Sequence, residues 1–344
     1  MITVPPVSVR ARRALRSGAV ALGAALMTAL APSAASAAVG NLAEAKADNG
    51  ARVVAETVVD ERTVDLSIWS PATKRNANVR LLLPADWASN PARTYPALYM
   101  LHGANERVDY RSWTEFTDFE SFLADKPVLT VLPSGGSSGF FTKEWNYGRK
   151  GGVDYETFHT EELPQILERA YRSTSTRAVA GISIGGYGAM AYAARHPGLF
   201  RAAASYSGLL HLRYSSTWMV VSTIRVRANR DFFSLWGSPW WQGRIWRSVN
   251  PYDLAEKLRG TELYVSSGSG RPGPFEKPDD LNILGNPIEE WSWNNSRVFA
   301  KRLDELNIPV TTDFYRDGTH TWPYWERQFI RSWPVLAKGL GLNG

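Results

Sequence analysis

Gly181-Ile182-Ser183-Ile184-Gly185-Gly186 decides the reading of this chain. It holds the pattern G-x-S-x-G. The apolar run Ala178-Val179-Ala180 leads into it. The Ala-rich stretch from Gly188 to His196 follows, and Pro197-Gly198 stops it. Strand, tight turn and helix form the setting in which a serine becomes a nucleophile. The turn strains the backbone to lift the hydroxyl clear, and glycines flank it because side chains there would collide. The helix that starts at the turn aims its free amides at the serine and favours negative charge beside it. In a chain of 344 residues with 28 Gly the pattern alone says little. Its place between a strand and a helix makes Ser183 the candidate nucleophile.

The same alternation extends to both sides. Pro96 to Leu101, Val128 to Pro133, Ala202 to Ser207, Glu262 to Val265 and Val310 to Tyr315 read as short strands. Mostly uninterrupted apolar runs suit strands buried on both faces, as in a parallel sheet. Between them, Thr160 to Tyr171 places Leu163, Ile166, Leu167 and Ala170 on one helical face. Ser296 to Leu306 does the same with Val298, Phe299, Leu303 and Leu306. Upstream, Arg52 to Ala55, Thr63 to Trp69 and Val79 to Leu83 favour antiparallel strands, with period-2 alternation clearest in the second. An antiparallel lead-in to a mainly parallel sheet, with helices on both faces, predicts an α/β-hydrolase fold. The stretch from Tyr214 to Pro251 breaks the pattern and carries Trp236, Trp240, Trp241 and Trp246. It reads either as an excursion beside the site or as a helical surface segment packing aromatics on the core.

The first residues read as a leader. Arg10, Arg12, Arg13 and Arg16 precede an uncharged apolar stretch from Ser17 to about Ala31, and Ala35-Ser36-Ala37 supplies a cleavage signal. This is the grammar of a secretory signal peptide over residues 1–37, leaving 38–344 as one α/β domain. The apolar run is shorter than the ~20 residues of a membrane span, so no span is expected in the mature chain. The Arg12-Arg13 pair leaves twin-arginine export open beside the general route. Residues 1–37 hold four Arg and no acid, which leaves 35 basic against 33 acidic residues, nearly balanced. That balance argues against a nucleic-acid partner. There is no Cys, which excludes disulfides, a thiolate nucleophile and Cys-ligated zinc. The five His show no H-x-x-x-H spacing, so no metal is expected.

A serine hydroxyl needs a base. His196 lies at a helix end, His159 at a helix start and His211 in a loop. His320 stands just past the last predicted strand, in Gly318-Thr319-His320-Thr321-Trp322. The chain order Ser, acid, His puts the base there. Asp279, Asp280, Glu289 and Glu290 all qualify as the acid. The penultimate strand, where many hydrolases carry it, runs into Ser266-Ser267-Gly268-Ser269-Gly270 and offers no carboxylate. For the oxyanion, the amide of Ile184 follows the nucleophile. The loop Leu101-His102-Gly103-Ala104-Asn105 supplies the second, from Ala104.

From about Tyr95 to Gln328 the chain resembles the antigen 85 mycolyltransferases and the wider esterase D-like group. The matching pieces keep their order: Leu101-His102-Gly103, Asp109-Tyr110-Arg111-Ser112-Trp113, Val131 to Gly136, Glu162-Leu163-Pro164, Gly181-Ile182-Ser183, Leu235-Trp236-Gly237, and Gly318 to Trp325. The resemblance implies a catalytic Glu on a helix some way before the His. Matching Phe299 and Phe314 to the family's aromatics puts it at Glu289, with Glu290 one residue away. Two departures stand out. Antigen 85 reads Asp-Gly-Leu-Arg where this chain reads His102-Gly103-Ala104-Asn105, so the charged grip on trehalose is absent. The family's disulfide is absent as well.

The expectation is a secreted serine esterase or acyltransferase with a Ser183-Glu289-His320 triad and an Ala104/Ile184 oxyanion hole. His102, Asn105 and Trp322 are candidate substrate contacts, the alternative for His102 being only to orient the loop. No cofactor is required. The substrate is a small-molecule or lipid acyl ester, with a sugar or alcohol acceptor as the alternative to water. The rival readings are a trehalose or cell-wall acyl transferase, and a non-catalytic exported binding protein on the same fold.

Overall fold

The strand-like runs pair into one sheet. The computed structural model describes residues 39–215, 217–276 and 285–343. The leader at 1–37, Asp279 and Asp280 therefore lie outside the described residues. Nine strands are present among those described: β1 (Arg52–Val58), β2 (Thr63–Ser70), β3 (Arg75–Leu82), β4 (Tyr95–Leu101), β5 (Leu129–Pro133), β6 (Ser173–Ile182), β7 (Ala202–Tyr206), β8 (Glu262–Arg271) and β9 (Thr311–Asp317). Their order across the sheet is β1-β2-β3-β5-β4-β6-β7-β8-β9. The first three strands and the β3–β5 pairing are antiparallel. Every other pairing is parallel.

This is the α/β layout expected from the pattern. The central strands β4, β5 and β7 are almost wholly buried, which is why they read as continuous apolar runs. Helices cover both faces. One layer holds Leu163–Ala170, Ile184–Arg195 and Gly285–Glu305, packing Leu167, Ala189, Phe299 and Leu303 on the sheet. The other is dominated by Trp322–Leu340, whose Trp325, Phe329, Trp333 and Leu336 meet Trp113 and Phe119.

Two helices begin earlier than periodicity predicts. The one expected from Ser296 starts at Gly285 and runs 21 residues. The one expected from Thr160 opens at Tyr155 and passes through a wider π turn at Phe158–Glu162. Glu162 sits in that turn, fully buried. Its Oε1 accepts from Asn49 Nδ2 at 2.6 Å and the Ala72 amide at 3.1 Å, and its Oε2 accepts from Ser70 Oγ. One carboxylate thus ties the end of β2 and the N-terminal segment to a helix far along the chain.

β4 and β6 are neighbours, yet the chain leaves them in opposite directions, β4 toward β5 and β6 toward β7. The loops at their carboxyl ends diverge there and open a crevice, where α/β sheets place their ligands. For the buried clasp, Glu162→Ala strands three donors without an acceptor. It should cost about 2–3 kcal/mol of stability in urea unfolding; a loss under about 0.5 kcal/mol, the surface range, would contradict the clasp.

Candidate active site

The turn at Ser183 is as tight as its glycines suggest. Ser183 has φ +52° and ψ −117°, and its amide donates to Tyr206 O at 2.9 Å. A side chain at Gly185 would put its Cβ 2.5 Å from His102 O, and one at Gly181 would meet the Gly185 carbonyl at 2.5 Å. The turn therefore fits only because strand, helix and β4 loop approach at backbone distance. Ile184 is the first helical residue, so its amide has no acceptor within the helix. On the facing loop, the Asn105 amide is committed to Ser137 O at 2.8 Å, whereas the Ala104 amide has no backbone partner among the described residues.

His320 and Glu289 meet from distant parts of the chain. His320 Nδ1 donates to Glu289 Oε2 at 2.7 Å. That leaves Nε2 for the serine. Glu289 is fully buried. Its other oxygen accepts from Ser207 Oγ at 2.8 Å, Ser267 Oγ at 2.9 Å and the Gly268 amide at 2.6 Å. Ser207 directly follows β7, and Ser267 and Gly268 lie within the second half of β8. The strand that lacked a carboxylate in the sequence thus supplies the donors that hold one. Trp325 Nε1 donates to Ser207 Oγ at 3.0 Å, and its ring stands edge-on to His320 at 4.8 Å. Glu290 is exposed and faces away from His320.

Ser183 and His320 line one cavity of about 350 Å³. No hydrogen bond joins Ser183 Oγ to the imidazole among the described residues. Such contacts are often long without substrate and tighten on binding. Ala104, Asn105 and Glu106 form one side; Leu209, Val220, Ile224, Ile288 and Trp325 form an apolar side.

Two expected contacts lie elsewhere. His102 is buried behind the loop, 1% exposed, with Nδ1 donating to Gly103 O at 2.6 Å and Nε2 accepting from the Gly135 amide at 2.8 Å. Both ring nitrogens are used to shape the oxyanion loop, and none faces the cavity. Trp322 packs on Trp113, Phe116 and Trp325 instead of lining the cavity. The remaining His also have structural partners. His159 is bound to Tyr192 Oη and Ser134 O, and burial lowers its pKa to about 3. His196 pairs with Glu156, and His211 stacks on Tyr252.

Sequence reasoning missed Ser207, Trp325 and the helix Thr217–Arg227, which supplies Met219, Val220, Thr223, Ile224 and Arg227 to the cavity. Trp325 stood inside a motif already recognised, so it was within reach. The helix belongs to the Trp-rich stretch, and both readings of that stretch hold in part. Trp236 and Trp246 are core residues, while the preceding helix borders the cavity.

Glu106 was also missed. It lies in the cavity beside Gly103, without a hydrogen bond or ion pair among the described residues. Burial, aided by the charges of Asp109 and Glu115, raises its pKa to about 7. A carboxyl whose folded pKa is raised favours folding while protonated, and that contribution is lost as pH rises from the ordinary carboxylate range through about 7. Glu106→Gln should therefore gain stability relative to wild type at mildly alkaline pH and not in acid. The new charge also faces the cavity. The ratio of kcat/KM for a cationic ester over a neutral one should rise across neutral pH in wild type and stay flat in Glu106→Gln. Parallel profiles in the two proteins would contradict this role.

Comparison with known proteins agrees with this architecture. The esterase family model matches residues 70–336, more than half of the chain. The esterase Rv1288 of Mycobacterium tuberculosis is 31% identical over 262 residues, covering 73% of this chain and 55% of its own length. The chain thus spans about half the length of that curated relative. The diacylglycerol acyltransferase/mycolyltransferase Ag85B of Mycobacterium leprae is 29% identical over 255 residues, 71% of this chain and 76% of its own. Among solved structures, Mycobacterium tuberculosis MPT51 (FbpC1) aligns with a TM-score of 0.65 and 26% identity over 79% of this chain and 96% of that one. A ferulic acid esterase shares the fold at a TM-score of 0.60 and 20% identity, over 81% and 98% of the two chains. With its sheet order, its strained serine turn and these matches, the chain belongs to the esterase family of α/β-hydrolases.

Proposed function

We propose that the chain is a secreted serine esterase with acyltransferase capacity, acting on acyl esters through Ser183, His320 and Glu289. Residues 1–37 are its signal peptide and 38–344 its catalytic domain. The observation that carries the reading is the 2.7 Å contact of His320 Nδ1 with the buried Glu289, at a cavity that Ser183 shares.

The chemistry follows from that contact. Ser183 Oγ attacks the ester carbonyl, and its proton passes to His320 Nε2. Glu289 stabilises the imidazolium that forms. Its second oxygen is held by three donors, so the carboxylate need not reorganise. The oxyanion binds the amides of Ala104 and Ile184, and the helix N-terminus adds favourable potential. One such donor is typically worth about 3 kcal/mol of transition-state stabilisation. His320 then gives its proton to the leaving alcohol. Water, or a second alcohol, attacks the acyl-enzyme in the reverse sense and frees Ser183. The apolar wall of Leu209, Val220, Ile224 and Ile288 receives the acyl chain. The loop His102-Gly103-Ala104-Asn105 lacks the charges with which antigen 85 grips trehalose, which favours a general acyl ester over trehalose transfer.

Ser183→Ala should lower kcat on p-nitrophenyl esters by about 10⁴-fold or more, and Glu289→Gln by about 10³–10⁴ with KM little changed. Retained turnover in Ser183→Ala would overturn the assignment. Hydrolysis and transfer separate by the product ratio with added alcohols or trehalose. A trehalose ester as the main product would replace the esterase reading with the transferase one.

A further inference from the structure

The helix Thr217–Arg227 is built inside out. Its inward face is Thr217, Val221 and Arg225, all buried, and Arg225 is only 1% exposed. That guanidinium is consumed internally, by Glu144, Ser138 O, Asp231 O and Ser234. The opposite face shows apolar side chains to solvent: Met219 is 51% exposed and Val226 is 67% exposed. Ordinary surface helices do the reverse. Trp218 on this helix meets Trp240 edge to face at 5.1 Å, and Trp240 and Trp241 are 67% and 85% exposed. Two adjacent, largely uncovered tryptophans beside an outward apolar helix face make more than scattered surface residues.

Two further observations say what meets this surface. First, it is basic. Of the five Arg from Tyr214 to Asn250, Arg225 is buried and both it and Arg230 pair with Glu144, which leaves Arg227, Arg244 and Arg247 beside the single acid of that stretch, Asp231. Arg227, Arg244 and Arg247 are exposed and make no ion pair among the described residues. Second, it is continuous with the catalytic cavity, because Met219 and Arg227 belong to both. Exposed Trp with Arg beside it is the composition that seats at a lipid–water boundary. The rings enter the headgroup region, while the guanidinium groups meet anionic headgroups.

We propose that the outward face of Thr217–Arg227, with Trp240 and Trp241, docks the protein on an anionic phospholipid bilayer. Docking there sets the cavity mouth against the lipid, so an acyl ester can pass from the surface to Ser183. The route to Ser183 rests on the function proposed above; the docking does not.

Binding is therefore read on the Ser183→Ala protein of residues 38–344, without the basic apolar leader, by co-sedimentation with vesicles. Vesicles of equal parts phosphatidylcholine and phosphatidylglycerol should bind at least about tenfold more tightly than phosphatidylcholine alone, and salt should weaken them. The double variant Trp240→Ala/Trp241→Ala, and separately Arg244→Glu/Arg247→Glu, should each lower that binding about tenfold or more. With Ser183 restored, the same variants should hydrolyse a soluble short-chain ester at the wild-type rate. No vesicle binding, equal binding to neutral and anionic vesicles, or binding untouched by both variants would overturn the proposal. So would Trp-dependent retention on a wall glycan without vesicle binding, since the rings would then be gripping sugar.

Discussion

The backbone of Ser183 is the constraint on which the rest of the site depends. A non-glycine residue at φ +52° is strained by about 1–3 kcal/mol, and it persists only where its surroundings over-determine it. Here they do. The Ser183 amide is fixed to β7 through Tyr206 O, and its carbonyl accepts from the Tyr187 amide at 3.0 Å. Gly181 and Gly185 let Leu101 and His102 approach at backbone distance. The same close approach that forces the turn brings the β4 loop, and with it Ala104, opposite Ile184. The strained turn at Ser183 and the approach of the β4 loop are thus consequences of one packing event.

The buried carboxylate of Glu289 follows a different logic. Burying Glu289 completely removes its hydration, which is tolerable only when its oxygens are satisfied. Ser207 just past β7, and Ser267 and Gly268 within β8, replace the lost water on Oε1. Oε2 is then free for His320. Trp325 locks Ser207 from one side and braces the imidazole from the other. Glu289 sits on a helix, yet its position is set by residues of β8 and of the turn after β7.

Much of this was legible in the sequence, for local reasons. β6, the turn and the helix after it are contiguous, so Ser183 could be read from its neighbours. His320 followed from chain order and a short motif. The acid could not be read in that way. Its contact with His320 joins residues 31 apart, and its donors come from two further strands. Only the family resemblance separated Glu289 from Glu290, which the helix turns outward. Of the two readings of His102, substrate contact or loop orientation, its hydrogen bonds match the second. A histidine beside an oxyanion loop looks chemical, but its two ring nitrogens serve Gly103 and Gly135. The inverted helix Thr217–Arg227 defeated periodicity altogether, because its buried Arg225 is neutralised by partners remote in sequence such as Glu144.

The proposed mechanism requires that Ser183 become covalently acylated. Rapid acid quench of the protein with a slowly deacylating p-nitrophenyl ester, followed by peptide mass spectrometry, tests it directly. One acyl group is expected, on the peptide carrying Ser183, absent from Ser183→Ala and formed far more slowly in His320→Ala. An acyl group on another residue, or ester turnover with no acylated intermediate at Ser183, would contradict it.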